Sequence, residues 1–99
     1  MIRFAQGDFF MSEVLAMARI RARNDFQDTI TRAGLAQTEL ARAAGVGERT
    51  IYAMTNPAAR AARGGYARPV TAWKVARAFA AHLGITPDDA FQALFEETE

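Results

Sequence analysis

The sequence predicts an all-α domain of five helices with an additional N-terminal extension and helix. Three observations carry that prediction. Alanine-rich segments place apolar residues three and four apart along most of the chain, strand signals are nearly absent, and Gly and Pro stand where the helical patterns stop. With 99 residues, 51% of them apolar and 23% charged, the chain has the balance of one small folded domain with one modest core.

Taken in order, residues 12–23, SEVLAMARIRAR, read as a helix beginning near Ser12, with Val14, Leu15, Ala18 and Ile20 on one side. Asn24 caps the next helix, its side chain accepting from an early backbone N–H while Gln27 reaches back. Phe26, Ile30 and Ala33 form the inner stripe of that helix and Gly34 ends it; residues 12–33 either bend at Asn24 or run straight. Residues 38–44 make a third helix, Gly45-Val46-Gly47 interrupts it, and a short helix follows over residues 48–54. Pro57, Pro69 and the Gly64-Gly65 pair stop that helix from continuing, which leaves residues 55–68 as a long connection for so small a domain. From Thr71 onward, Val75, Ala76, Phe79, Ala80 and Leu83 mark a helix stopped by Gly84. Thr86 caps a last helix, with Pro87 at its first position and Asp88 and Asp89 in its first turn, where they favour the positive end of the helix dipole. Phe91, Leu94 and Phe95 are its buried side. There is no internal repeat.

Composition narrows the chemistry. The absence of Cys excludes disulfides, thiolate metal sites and a Cys nucleophile, and the lone His82 cannot form a metal cluster without suitably spaced carboxylates. No nucleophile, base and orienting residue stand at a recognisable spacing, so the chain is expected to be neither an enzyme nor a cofactor binder. The first residues carry Asp8 and Glu13 and no long apolar run; they read neither as a signal peptide nor as a membrane span, and a soluble cytoplasmic protein is expected. Net charge is only +1, but residues 40–79 carry Arg42, Arg49, Arg60, Arg63, Arg68, Lys74 and Arg77 against Glu48 alone. After Ala80 the charges are Asp88, Asp89, Glu96, Glu97 and Glu99, with His82 the one basic group. A basic middle and an acidic end suit a protein that holds a polyanion on one face and keeps another face away from it; the alternative is a solvated helical surface.

Within residues 37–54 the small and apolar positions each have a physical task if two helices cross closely at a steep angle. Ala41 is small enough to let the second helix approach, Gly45 supplies the positive φ that ends the first helix, and Val46, Ile51 and Met54 fill the seam. Arg49, Tyr52 and Ala53 lie opposite Ile51 and Met54, with Glu48 and Thr50 on the flanks. That outer face is free to touch something else.

These residues resemble the helix-turn-helix DNA-binding domains of the phage Cro and repressor (XRE) type, through GLAQTELARAAGVGERTIYAM and again in RPVTAWKVARAFAAHLGITPDDAF. Ala41, Gly45 and Ile51 stand at the family's spacing and Gln37 at the head of the first motif helix. The resemblance implies a compact five-helix lambda-repressor-like domain over residues 24–95, with the motif at 37–54, an extension and helix over 1–23, and an acidic tail at 96–99. It also implies that the second motif helix reads base edges in the major groove of double-stranded DNA while the first crosses the phosphate backbone. By resemblance Gln37 bonds a phosphate, Glu48, Arg49, Thr50, Tyr52 and Ala53 face the groove, and Thr38 and Asn56 complete the set expected at the DNA. Arg49 can fork onto guanine O6 and N7, a contact worth about 1–3 kcal/mol of discrimination. Glu48 accepts from a cytosine amino group, pairs with Arg49 or Arg42, or serves the positive helix end. Tyr52 packs on a thymine methyl, bonds a phosphate, or covers the seam.

The chain departs from the pattern twice. Gly47 stands where a Ser or Thr cap is common, at a cost of about a few tenths of a kcal/mol. The connection 55–68 is longer than usual and basic; Arg60, Arg63 and Arg68 either grip phosphates beside the groove, with one entering the minor groove as a variant, or simply line a solvent loop. Trp73 and Phe79 read as core rather than a base-stacking platform, because they sit in a periodic helix with no second aromatic spaced to stack. Phe4, Phe9 and Phe10 are too few to form a core of their own. The expected function is a transcriptional regulator, a repressor binding a pseudo-palindromic operator as a homodimer through Phe91, Leu94 and Phe95 or through the extension. The alternative is a protein-interaction module, an antitoxin or coactivator docking through residues 1–10.

Overall fold

Helices begin and end close to the Gly, Pro and cap positions in the computed structural model, which describes residues 19–98. Among the described residues the order is β1 (Arg19–Ala22), α1 (Phe26–Arg32), α2 (Gln37–Ala44), α3 (Glu48–Thr55), α4 (Pro57–Arg63), β2 (Tyr66–Ala67), α5 (Pro69–Leu83), α6 (Pro87–Leu94) and β3 (Phe95–Thr98). The domain is mostly helical, but six helices rather than five are present here, and a small antiparallel sheet of order β2-β1-β3 corrects the all-α expectation.

The sheet overturns both ends of the expected organisation. Residues 19–22 are not the end of a helix, and residues 96–98 are not a tail. Arg-Ile-Arg-Ala alternates, and the alternation sends Ile20 and Ala22 into the core while Arg19 stays exposed and Arg21 half-buried. A helix would spread these four side chains around its circumference; a strand buries two at once and gains a ladder on each side. Ile20 faces Ala67 and Arg21 faces Tyr66 across one ladder, and residues 19–22 face 98–95 across the other. Ala22 N–H donates to the Gly65 carbonyl and Arg23 N–H to the Leu94 carbonyl, both at 2.9 Å, so the pairing runs past the strand ends. On the outer face Arg21 donates to Glu96 at 2.6 and 3.0 Å, and the carboxylate raises the Arg21 pKa through that hydrogen bond and then through its charge. The Arg19 guanidinium lies 5.3 Å from the Tyr66 ring centroid. The residues expected in the first helix at 12–18 lie outside the described residues.

With the chain extended as far as Ala22, α1 starts at Phe26 and Asp25 holds its N-cap position without a side-chain cap bond. Asn24 is therefore not the cap, and Gln27 does not reach back: its amide donates to Thr31 Oγ1 at 2.8 Å and accepts from Gln37 at 2.6 Å. The expected long connection is also corrected. Asn56 Oδ1 accepts from Ala59 N–H at 3.0 Å and Pro57 needs no N–H partner in a first turn, so a new helix, α4, starts where the previous one stops. Gly65 then turns the chain into β2 at φ 71°, and a Cβ there would meet Arg60 Nη1 at 2.6 Å.

The remaining predicted boundaries correspond closely. α5 starts at Pro69 and stops before Gly84; the Thr86 hydroxyl accepts from Asp89 N–H at 3.1 Å at the head of α6. Phe26, Ile30, Leu40, Ile51, Val75, Phe79, Leu94 and Phe95 are the large side chains fully enclosed in the core. Phe26 meets Phe95 edge to face at 5.7 Å, and Trp73 stacks on Phe91 at 4.3 Å. Trp73 is thus packed on the core as expected, although it does have an aromatic partner, supplied by α6. Leu94 and Phe95 are enclosed and Phe91 is 8% exposed, so these side chains serve the core. Leu83, expected on an inner stripe, is instead exposed. His82 lies near the end of α5, 2.9 Å from the Ala33 carbonyl, to which its ring N–H donates at the end of α1. No helix among the described residues is long and apolar enough to cross a membrane.

Candidate functional site

The α2–α3 pair is built from local signals. Glu39 Oε1 accepts from Ala36 N–H at 3.0 Å and satisfies one open donor at the head of α2. Leu40 and Ala41 are its buried residues. Gly45 ends the helix at φ 73°, ψ 32°, and Val46 N–H returns to the Ala41 carbonyl at 3.0 Å. Nothing lies within 4 Å of a Cβ added at Gly45, so the residue is required by its backbone angle and not by crowding. Gly47 has an ordinary extended conformation, φ −72° and ψ 151°, at the N-cap of α3.

α3 divides cleanly into two faces. Ile51, Met54 and Thr55 point into the core, while Glu48, Arg49 and Tyr52 are exposed and Thr50 and Ala53 lie between. Tyr52 is 53% exposed, so about half of it is covered and the rest is open on the outer face. Glu48 forms no ion pair with Arg49 or Arg42 among the described residues. It sits in the first turn of α3, where a negative charge favours the positive end of the helix. Arg49 has no hydrogen-bond or ion-pair partner among the described residues, so its guanidinium is open to an external acceptor.

Gln37, Thr38, Glu48, Arg49 and Tyr52 line one shallow cleft of about 250 Å³. Five of the sequence-selected residues, from both helices of the pair, therefore meet at one place. Gln37 is held there by its bond to Gln27, which uses one amide hydrogen and leaves the second for an outside acceptor.

The basic segment that follows divides differently. Arg60 is not a solvent-loop residue: its Nη1 donates to the Met54 carbonyl at 3.0 Å and its Nη2 to Asn24 Oδ1 at 2.8 Å. It anchors the last turn of α3 to the junction between β1 and α1, with part of its donor set used inside the domain. Asn56 has its side-chain oxygen committed to capping α4. Arg63 and Arg68 remain exposed, at the end of α4 and the N-cap of α5. Sequence reasoning missed Arg21 and Asn24, which the fold brings against Arg60 and Thr55 around a second cleft. The period-two alternation of residues 19–22 was the signal that could have found Arg21, and nothing local to Asn24 marks its contact with a residue on α4.

Among the described residues no group of three or more His, Cys, Asp or Glu side chains is placed to hold a metal ion. Comparison with family models, with curated proteins and with solved structures finds no match for this chain.

Proposed function

We propose that the protein is a double-stranded DNA-binding transcriptional regulator of the helix-turn-helix, lambda-repressor-like type, and that it acts as a repressor. The observation that carries this reading is the two-faced α3. Its inner face is locked by Ile51 and Met54, and its outer face offers an Arg49 unengaged among the described residues, beside Tyr52, Glu48 and Thr50. An unpaired arginine on a short helix, set at a fixed angle by a glycine turn, matches what major-groove reading requires: a rigid element narrow enough for the groove and a donor fork for guanine. Gln37 and Thr38 at the head of α2 supply phosphate contacts on one side, and the exposed Arg63 and Arg68 supply charge on the other. Glu48 is reserved for the helix end or for a cytosine amino group.

One such module reads few base pairs, so a homodimer on a pseudo-palindrome is the economical arrangement. The nucleoid is the compartment where such a protein would act. Selection of bound duplexes from a random library, repeated with Arg49→Ala, tests the reading. The expected result is a palindromic site that loses preference at one position in each half, with a penalty of about 1–3 kcal/mol. Salt-sensitive binding with no preferred sequence would overturn it.

A further inference from the structure

A cleft of about 420 Å³ opens where β1, the end of α3 and α4 meet, and Arg21, Asn24, Thr55, Arg60, Ala61 and Gly64 are among its lining residues. Among the described residues two guanidinium groups contribute to the wall and no carboxylate does. Arg21 already has a counter-charge in Glu96. Arg60 does not: among the described residues its partners are the neutral Met54 carbonyl and the neutral Asn24 amide, although the residue is half-buried. A cation withdrawn from water with only neutral partners favours an anion beside it. Both guanidinium groups keep unused N–H donors, and Asn24, whose oxygen is taken by Arg60, has its amide nitrogen left to donate.

We infer that this cleft is a phosphate site in which Arg60, Arg21 and the Asn24 amide hold a phosphate group. Planar guanidinium forks match phosphate oxygens in pairs, whereas a single carboxylate would leave part of the donor set unused. The cleft is open to solvent, so the phosphate group can belong to a free phosphorylated molecule or to the backbone of a bound duplex. Because Arg60 also holds the Met54 carbonyl in the last turn of α3, phosphate at the cleft and the seating of α3 are coupled through one side chain. Phosphate recognition itself does not rest on the proposed reading of DNA; only the consequence for α3 does.

The test titrates inorganic phosphate into the full chain at constant ionic strength, with chloride as the replacement ion, and follows backbone amides by NMR. Saturable shifts centred on Asn24, Thr55, Ala61 and Gly64 are expected. Arg60→Gln should abolish them, but it also removes the anchor of α3. Ala61→Glu is therefore the deciding variant: it sets a carboxylate in the cleft without touching that anchor, and it should abolish saturation while the rest of the spectrum is unchanged. Shifts that never saturate, that spread equally to Arg63 and Arg68, or that survive Ala61→Glu overturn the site. The source is separated by duplex binding. If the phosphate belongs to DNA, Ala61→Glu lowers the salt slope by about 0.9. If it belongs to a free molecule, Ala61→Glu leaves the slope unchanged, while inorganic phosphate saturates the cleft of the unsubstituted chain and not that of the variant. A chain that binds no duplex yet shows saturable phosphate binding would overturn the DNA reading alone.

Discussion

Arg49 and Arg60 stand eleven positions apart in the same basic stretch, yet one is exposed with no partner among the described residues and the other is tied inside the domain by two hydrogen bonds. The difference follows from the regions that carry them. The α2–α3 pair is built from neighbours in sequence: a glycine turn, a first-turn acid and a helical stripe place Arg49 on the outside. The region around Arg60 adds a partner far away in the chain: Met54 and Gly65 lie within six positions of it, but Asn24 lies 36 positions away, just after β1, which the sheet ties to β2 and β3. Charge along a sequence therefore does not say which cations are available to a partner. Pairing does.

The sharpest challenge to this contrast is Phe95→Ala. Phe95, the first residue of β3, is enclosed against Phe26 and Phe91, and denaturant unfolding should show a loss of about 3–5 kcal/mol; a loss below about 1 kcal/mol would mean that the start of β3 does not close the core. A smaller but more discriminating comparison sets Arg60→Ala against Arg63→Ala within one helix. The first leaves the Met54 carbonyl and the Asn24 side chain without their donor and should cost about 1–3 kcal/mol. The second, on an exposed residue, should stay within about 0.5 kcal/mol. Equal losses from the two would erase the distinction between anchor and free cation.

Gly45→Ala probes the local region. The site is open, so the penalty is that of the left-handed backbone alone, about 1–2 kcal/mol in thermal or denaturant melts. Gly47→Ser is the smallest effect and has the opposite sign. Its backbone is ordinary, and the nearest atom to an added Cβ is Thr50 Oγ1 at 4.0 Å, so a hydroxyl cap should raise stability by about a few tenths of a kcal/mol. A loss at Gly47 would mean that the turn needs glycine at both of its ends.

The errors of sequence reading fall where the second region lies. The Ala-rich SEVLAMARIRAR suggested continued helix, and four residues of alternation at its end were too few to outweigh that suggestion without sight of their partners. The acidic stretch after Leu94 looked like a solvated end because its pairing partner, Arg21, is 75 positions away. Pro57 is a stop for α3, as its sequence position predicts, but the same residue with Asn56 is also a start. By contrast the two faces of α3, the Gly45 turn and the Thr86 cap were legible, because each is settled within a few residues.

What the sequence determined by itself is thus the set of elements governed by short-range rules: helix period, caps, and the one glycine whose positive φ directs α3. What only the tertiary structure decided is which residues those elements meet. Strand pairing and the burial of charge depend on contacts between distant segments, and hydrogen-bond donors and acceptors carry no label in the sequence to say which of them will come together. That is why Arg49 could be assigned to an outer face from its neighbours, while Arg60 became an anchor between segments only when Asn24, 36 positions away, was placed beside it.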